Sequence, residues 1–250
     1  AIFILKKNSE HTGQKRILLA SFFTLLNDRM SESLLVGLLP GFFLQFLGSA
    51  SIYTYIAGTY SFAQFIAAPL IGIYSDKYGR RPVMLVCISG SILGISIVAF
   101  TLLFNWSNIK YVLPAVPLLP IYLLFIARLI DGISGGTVAT ATTVLADIST
   151  PETRAKTFGL IGVAFGLSFL LGPTISFIFI GNSTNSYLIP VLIATIIPFI
   201  NFLLVFFYLP ETKPREKDQA LGNQSKTNPF KGIFAPFKEN NIKRLSLAFF

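Results

Sequence analysis

Long apolar blocks separated by short polar breaks dominate the chain, in place of the short periodic stripes of a soluble fold. A bilayer core of about 30 Å requires roughly 20 apolar residues in helix. Six stretches reach that length, at 17–44, 52–74, 83–104, 118–146, 157–180 and 187–209. The breaks between the later ones read "DKYGRRP", "NWSNIKYVLPAVP", "DISTPETRAK" and "GNSTNS". The pattern therefore predicts an all-α membrane protein of six transmembrane helices. A tail over 1–16 precedes the bundle of 17–209, and a polar linker follows over 210–243. Residues 244–250 resume an apolar run, which is expected to be the truncated start of a seventh span. Thr150-Pro151-Glu152 has the order of an N-cap, a first-turn proline and a first-turn acid, and predicts the start of span 5.

Composition agrees with lipid as the solvent. Apolar residues make up 53% and charged residues only 12%, about half the usual charge of a soluble domain. The net charge of +9 does not point to nucleic acid, because the basic residues lie between the apolar blocks and form no patterned face. With the N-terminus inside, 17 of the 20 lysines and arginines fall on the cytoplasmic side and only Lys110 outside. Arg29 and Arg128 lie within spans. This bias orients the chain as a multi-pass protein of a bacterial-type inner or plasma membrane with a cytoplasmic N-terminus. Cys87 is alone in an apolar run and His11 is the single histidine, so neither a disulfide framework nor a histidine-based metal site is expected. Nothing suggests an enzyme: there is no nucleophile–base set, metal cluster or phosphate loop.

The first span breaks the pattern. Within "SFFTLLNDRMSESLLVGLLPGFF", Asp28, Arg29 and Glu32 place three charges where a membrane helix should be apolar. Span 4 does the same with Arg128 and Asp131 in "LLFIARLIDGISGG". Asp28 is 11 residues from the inner end of span 1 and Asp131 is 13 from the outer end of span 4, so both come near mid-membrane. Asp28 and Glu32 share a face at i, i+4, and Asn27, Ser31 and Ser33 spread polarity around them. Lipid cannot solvate such a belt, which must face other helices or a water-filled cavity. Three acids meet two guanidiniums, leaving one carboxylate in excess, and an unpartnered carboxylate in low dielectric tends to take up a proton. One of Asp28, Glu32 or Asp131 is thus expected to carry a coupling proton, with Arg128 modulating its affinity. The alternative is a fully paired network that only holds spans 1 and 4 together. No cofactor is expected beyond the proton. Tyr53, Tyr55, Tyr60, Gln45 and Gln64 lie where they could reach the cavity, though core or interface roles suit them better. The basic and aromatic segment "NPFKGIFAPFKENNIKRL" reads as a connector, with an interfacial helix as the alternative.

Four motifs carry a resemblance. The span 2–3 loop "GIYSDKYGRRP" has Gly72, Asp76, Lys77, Gly79, Arg80 and Arg81 in the pattern Gly-x-x-x-Asp-Lys-x-Gly-Arg-Arg. It resembles the signature loop of the major facilitator superfamily. Gly79 suits a tight turn, and Asp76 can hold a basic group or cap a helix. Leu124-x-x-x-Arg128-x-x-Asp131-Gly132 resembles that family's span-4 motif, associated with proton-coupled members, with Asp131 where Gln is commoner. "ARLIDGISGG" followed by "ADIST" is similar to tetracycline-type and multidrug/proton antiporters. In span 5, Gly159, Gly172 and Pro173 match the antiporter glycine ladder, while Ser168 and Ser176 replace glycines. Phe177 replaces the last glycine and is expected to close that groove, and Pro173 to bend the helix. "YLPETKP" at 208–214 is similar to a common exit from span 6, and reads almost equally as a polar helix end.

The resemblance implies the N-terminal half of a twelve-helix fold, made of two inverted three-helix repeats, with a missing C-terminal six-helix half as its partner. It also implies that the 72–81 loop latches the two halves at the cytoplasmic face and that spans 1 and 4 line the central cavity. The expected function is secondary transport of a small molecule across the bilayer by alternating access, foremost as proton-coupled efflux. An uptake symporter or uniporter on the same fold is the alternative, and a non-transporting receptor or scaffold is the alternative of another class. Gly90/Gly94, Gly132/Gly136 and Gly162/Gly166 are expected to let helices pack closely.

Overall fold

The computed structural model describes residues 2–47, 51–104, 119–179 and 188–212. The expected linker beyond residue 212, the expected start of a seventh span at 244–250, Gln45's side chain and Lys110 lie outside the described residues. All regular elements among those described are helices: α1 (Ile2–Leu47), α2 (Ser51–Tyr78), α3 (Arg80–Leu103), α4 (Leu119–Ser134), α5 (Thr137–Asp147), α6 (Arg154–Phe179) and α7 (Leu188–Tyr208). Among the described residues, five segments are long and apolar enough to cross a membrane: α2, α3, the α4–α5 pair, α6 and α7. The sixth rod is α1, which carries the charged belt of span 1 and packs chiefly against α6 and α7. Its 46 residues extend the helix back through the predicted tail. There Gln14 donates through Nε2 to the Ile148 carbonyl at 2.7 Å, tying that end of α1 to the end of α5.

Span 4 departs from the single helix expected over 118–146. It breaks into α4 and α5 at Gly135 and Gly136. The Gly135 amide closes a tight turn on the Gly132 carbonyl at 3.1 Å, while Gln64 of α2 donates to the Gly135 carbonyl at 2.9 Å. Two residues without side chains remove the steric support for a regular turn, and a neighbouring amide satisfies the freed carbonyl. The start of span 5 also shifts. Thr150–Thr153 forms a turn and α6 begins at Arg154; the Thr150 amide donates to Thr153 Oγ1 at 3.0 Å, as in one half of a capping box. In that exposed turn, a hydrogen bond from Thr150 holds the Glu152 carboxyl below its ordinary range.

The packing repeats itself. Taking α4–α5, α6 and α7 as spans 4, 5 and 6, α1 lies on α6 as α4 lies on α2, and α1 meets α7 as α4 meets α3. The α3–α7 and α1–α5 contacts join equivalent spans to each other. This is the pattern that two inverted three-helix repeats generate.

Burial gives the bundle three storeys. One apolar core gathers Leu34, Leu38, Ile56, Ile95, Val98, Leu124 and Val191. A second gathers Ala20, Leu25, Met84, Ile88, Val144, Ala164 and Val205. On α1 the cores end at Leu25 and resume at Leu34, and on span 4 they end at Ala127 and resume at Ala141. The intramembrane charges occupy the gap, which places them at mid-height as their sequence positions predict.

Candidate functional site

The middle storey holds three ion pairs, formed by two arginines. Arg29 Nη2 lies 2.6 Å from Asp28 Oδ2, a pair contained within α1. Arg128 of α4 reaches across to α1, with Nη1 2.7 Å from Glu32 Oε2, and the same nitrogen lies 3.3 Å from Asp131 Oδ2. The expected excess carboxylate therefore does not appear as an unpaired group. Two acids share one guanidinium nitrogen instead, while Nε and Nη2 of Arg128 are buried with no hydrogen-bond partner among the described residues. Glu32 is the most open of the five side chains, 20% exposed against 3% for Arg128 and 6% for Asp131. Glu32 thus stands between the open face of the bundle and the buried Arg128–Asp131 pair.

Two glycines clamp that pair. A Cβ at Gly94 of α3 would lie 2.8 Å from Asp131 Cβ and 2.9 Å from the Ala127 carbonyl. A Cβ at Gly132 would lie 2.6 Å from the Tyr60 carbonyl of α2. Gly90 likewise faces Ser134, and Gly136 faces Ile71. Close packing expected of Gly90/Gly94 and Gly132/Gly136 is therefore present. Gly162 and Gly166 differ: nothing approaches a Cβ there within 4 Å, and the same holds at Gly159 and Gly72.

The serines of the belt face the neighbouring helices. Ser31 donates to the Ala194 carbonyl of α7 at 2.8 Å. Ser33 donates to the Ser168 carbonyl at 2.6 Å, Ser168 to the Leu26 carbonyl at 3.0 Å, and Ser176 to the Leu34 carbonyl at 2.8 Å. Ser168 and Ser176 thus stitch α6 to α1. Gly172 packs against Ser33, and Pro173 lies 3.0 Å from where a Cβ on Gly37 would be. α6 continues through Pro173. Phe177 does not close this groove. It is 82% exposed, because Ser176 and Gly172 already turn their face to α1 and position 177 points about 100° away.

At the end of the bundle expected to face the cytoplasm, one residue joins α2 to α3. Gly79 has φ 104, a region that side chains other than hydrogen rarely occupy. Asp76 pairs with Arg80 at 2.5 Å, and Arg80 also meets Ser75 Oγ at 2.7 Å and Asp147 at 3.2 Å. Lys77 is exposed and lies over the Tyr78 ring. Arg81 donates to the Phe206 carbonyl and stacks on its ring. Glu211 is the residue that sequence reading missed. Its carboxylate accepts from the Arg80 amide at 2.8 Å and the Arg81 amide at 3.1 Å, at the positive end of the α3 dipole. The available signal was the acid of "YLPETKP", whose partners lie 130 residues earlier.

Comparison with known proteins agrees with this architecture. The sequence profile described as Major Facilitator Superfamily matches residues 17–250. Tetracycline resistance protein, class B, of Escherichia coli is 32% identical over 215 residues, covering 84% of this chain and 48% of that protein. Major facilitator superfamily domain-containing protein 10 of Homo sapiens is 31% identical over 234 residues, covering 82% and 46%. The crystal structure titled human organic anion transporter MFSD10 (TETRAN) superposes with a TM-score of 0.62 at 29% identity, covering 82% of this chain and 49% of that one. The chain spans about half the length of the curated relatives it matches.

Proposed function

The chain belongs to the Major Facilitator Superfamily, and on that premise we propose that the full-length protein exports a small organic solute by alternating access, in exchange for protons. The observation that carries this reading is the sharing of Arg128 Nη1 between Glu32 and Asp131. When one of these acids takes up a proton its hold on the guanidinium weakens, and Arg128 settles on the other. Glu32 is on α1 and Asp131 on α4, so the proton's location alters the bond between the two cavity-lining spans. The leftover negative charge of the belt is thereby divided over two acids, and Asp28 remains the third candidate. Relatives named tetracycline resistance proteins support export. The relative titled an organic anion transporter keeps symport or uniport of an anion as the second reading.

The test uses inverted membrane vesicles containing the full-length protein, with tetracycline, ethidium and fluorescein as zwitterionic, cationic and anionic probes. Proton-coupled export predicts that an imposed acid-inside gradient drives at least one probe into the vesicles. At least one of Asp28→Asn, Glu32→Gln and Asp131→Asn should abolish that response. Retention of the gradient response by all three variants overturns the coupling role. A wild-type response of opposite direction overturns export in favour of uptake.

A further inference from the structure

Tyr60 lies between the Asp28–Arg29 pair and the Glu32–Arg128–Asp131 cluster and touches the arginine of each. Its hydroxyl accepts from Arg29 Nη2 at 3.4 Å, and the Arg128 guanidinium sits over its ring, 5.6 Å from the centroid. The side chain is buried on α2, and its backbone is held by the close approach of Gly132, the residue after Asp131. Three parts of this residue are therefore contacted: the oxygen by α1, the ring face by α4 and the backbone at the α2–α4 contact. A phenol has only two side-chain torsions, so a displacement of Arg29 that keeps this bond moves the ring on which Arg128 rests.

We propose that Tyr60 is a positioning residue that couples the Asp28–Arg29 pair to the Glu32–Arg128–Asp131 cluster, so that a change of charge at one alters proton binding at the other. The inference rests on the reading of this belt as the proton site. Protonation of Asp28 frees Arg29 to move toward or away from the Tyr60 hydroxyl. The ring follows, and the seat of Arg128 between Glu32 and Asp131 shifts with it. Coupling of this kind is reciprocal, so proton uptake at Glu32 or Asp131 must also alter Asp28. The groups that set the local field are Asp28, Arg29 and Glu32 on α1, Tyr53 and Tyr60 on α2, Cys87 on α3, and Arg128 and Asp131 on α4. Among the described residues, α6 presents Phe165 to Arg29, and α7 adds no ionisable group at this level.

The experiment is a pH titration of the full-length protein in detergent, followed by infrared difference spectroscopy of the protonated carboxyl stretch. It requires no substrate. Asp28→Asn should move the midpoint of the remaining band by about one pH unit, a tenfold change in proton affinity. In a Tyr60→Leu background the same substitution should move it by less than half as much. In a Tyr60→Phe background the shift should also shrink, because the bond to Arg29 is gone, while the starting midpoint stays near the wild-type value because the ring under Arg128 remains. A merely structural tyrosine would change the starting midpoint but not the size of the Asp28→Asn shift. An undiminished shift in either background overturns the inference, and Tyr60→Phe alone decides if Tyr60→Leu does not fold. Absence of any titrating band sensitive to Glu32→Gln or Asp131→Asn overturns the proton-site reading itself, and this inference with it.

Discussion

Replacing Gly79 by alanine tests the α2–α3 junction at its tightest point. The backbone there has φ 104 and ψ 156, a conformation that only glycine adopts without strain. Forcing an alanine into it costs about 1–3 kcal/mol. The new Cβ would also lie 2.6 Å from a carboxylate oxygen of Glu211. Glu211 must then move, and it loses bonds to the Arg80 and Arg81 amides. Charge-assisted bonds of this type contribute roughly 1.5–3 kcal/mol when buried and less at an exposed end such as this one. Together the two effects amount to roughly 2–4 kcal/mol. The assay is the thermal midpoint of the purified full-length protein in detergent, for Gly79→Ala, Glu211→Ala and the double variant. The single changes should lower the midpoint, and the double variant should be milder than their sum, since without Glu211 only the backbone strain remains. Strict additivity would refute the placement of the Glu211 carboxylate over Gly79.

Two further outcomes follow from the packing inside the membrane. Ser168→Val and Ser176→Val each remove a hydrogen bond from α6 to α1 and add bulk at a close contact, so each should destabilise by about 0.6–2 kcal/mol in a steric-trapping or denaturant assay, with Ala milder than Val. Arg128→Met strands Glu32 and Asp131 without their cation and should destabilise by about 3–5 kcal/mol, whereas adding Glu32→Gln and Asp131→Asn to it should restore most of the loss, read by the same assay.

Much of the fold was legible because the bilayer constrains sequence so strongly. A long apolar block can hardly be anything but a span, and five charges in such blocks stand out against that background. Positions 28 and 131 could be placed at mid-height by counting residues, and the two cores of the bundle leave a gap at that level. The partners of those charges were less legible. An i, i+4 face relation joined Asp28 to Glu32 on paper, but each acid took a different arginine, because Arg128 reaches Glu32 only after α1 and α4 are packed together. Tyr60 was named only as better suited to core or interface, and Glu211 was not named at all, for the same reason: their contacts lie 31 and 131 residues away in the chain. The break in span 4 was hidden in a Gly-Gly pair that serves packing and breaking equally well, and only Gln64 on another helix decides between them. Gly162 and Gly166 show the opposite error, small residues at packing-like spacing on a face that the described residues leave uncovered.

The uninterrupted length of α1 has a mechanical consequence. From Glu32 to Gln14 the helix runs about 27 Å. Pivoting about the charges at mid-height, it is a lever whose far tip is fastened to the end of α5 through Ile148. A tilt of only about 5° at Glu32 sweeps that tip by roughly 2 Å, given the rise of the helix. A tilt of that size would therefore be felt where Gln14 meets Ile148, at the end of the bundle that also holds the α2–α3 junction.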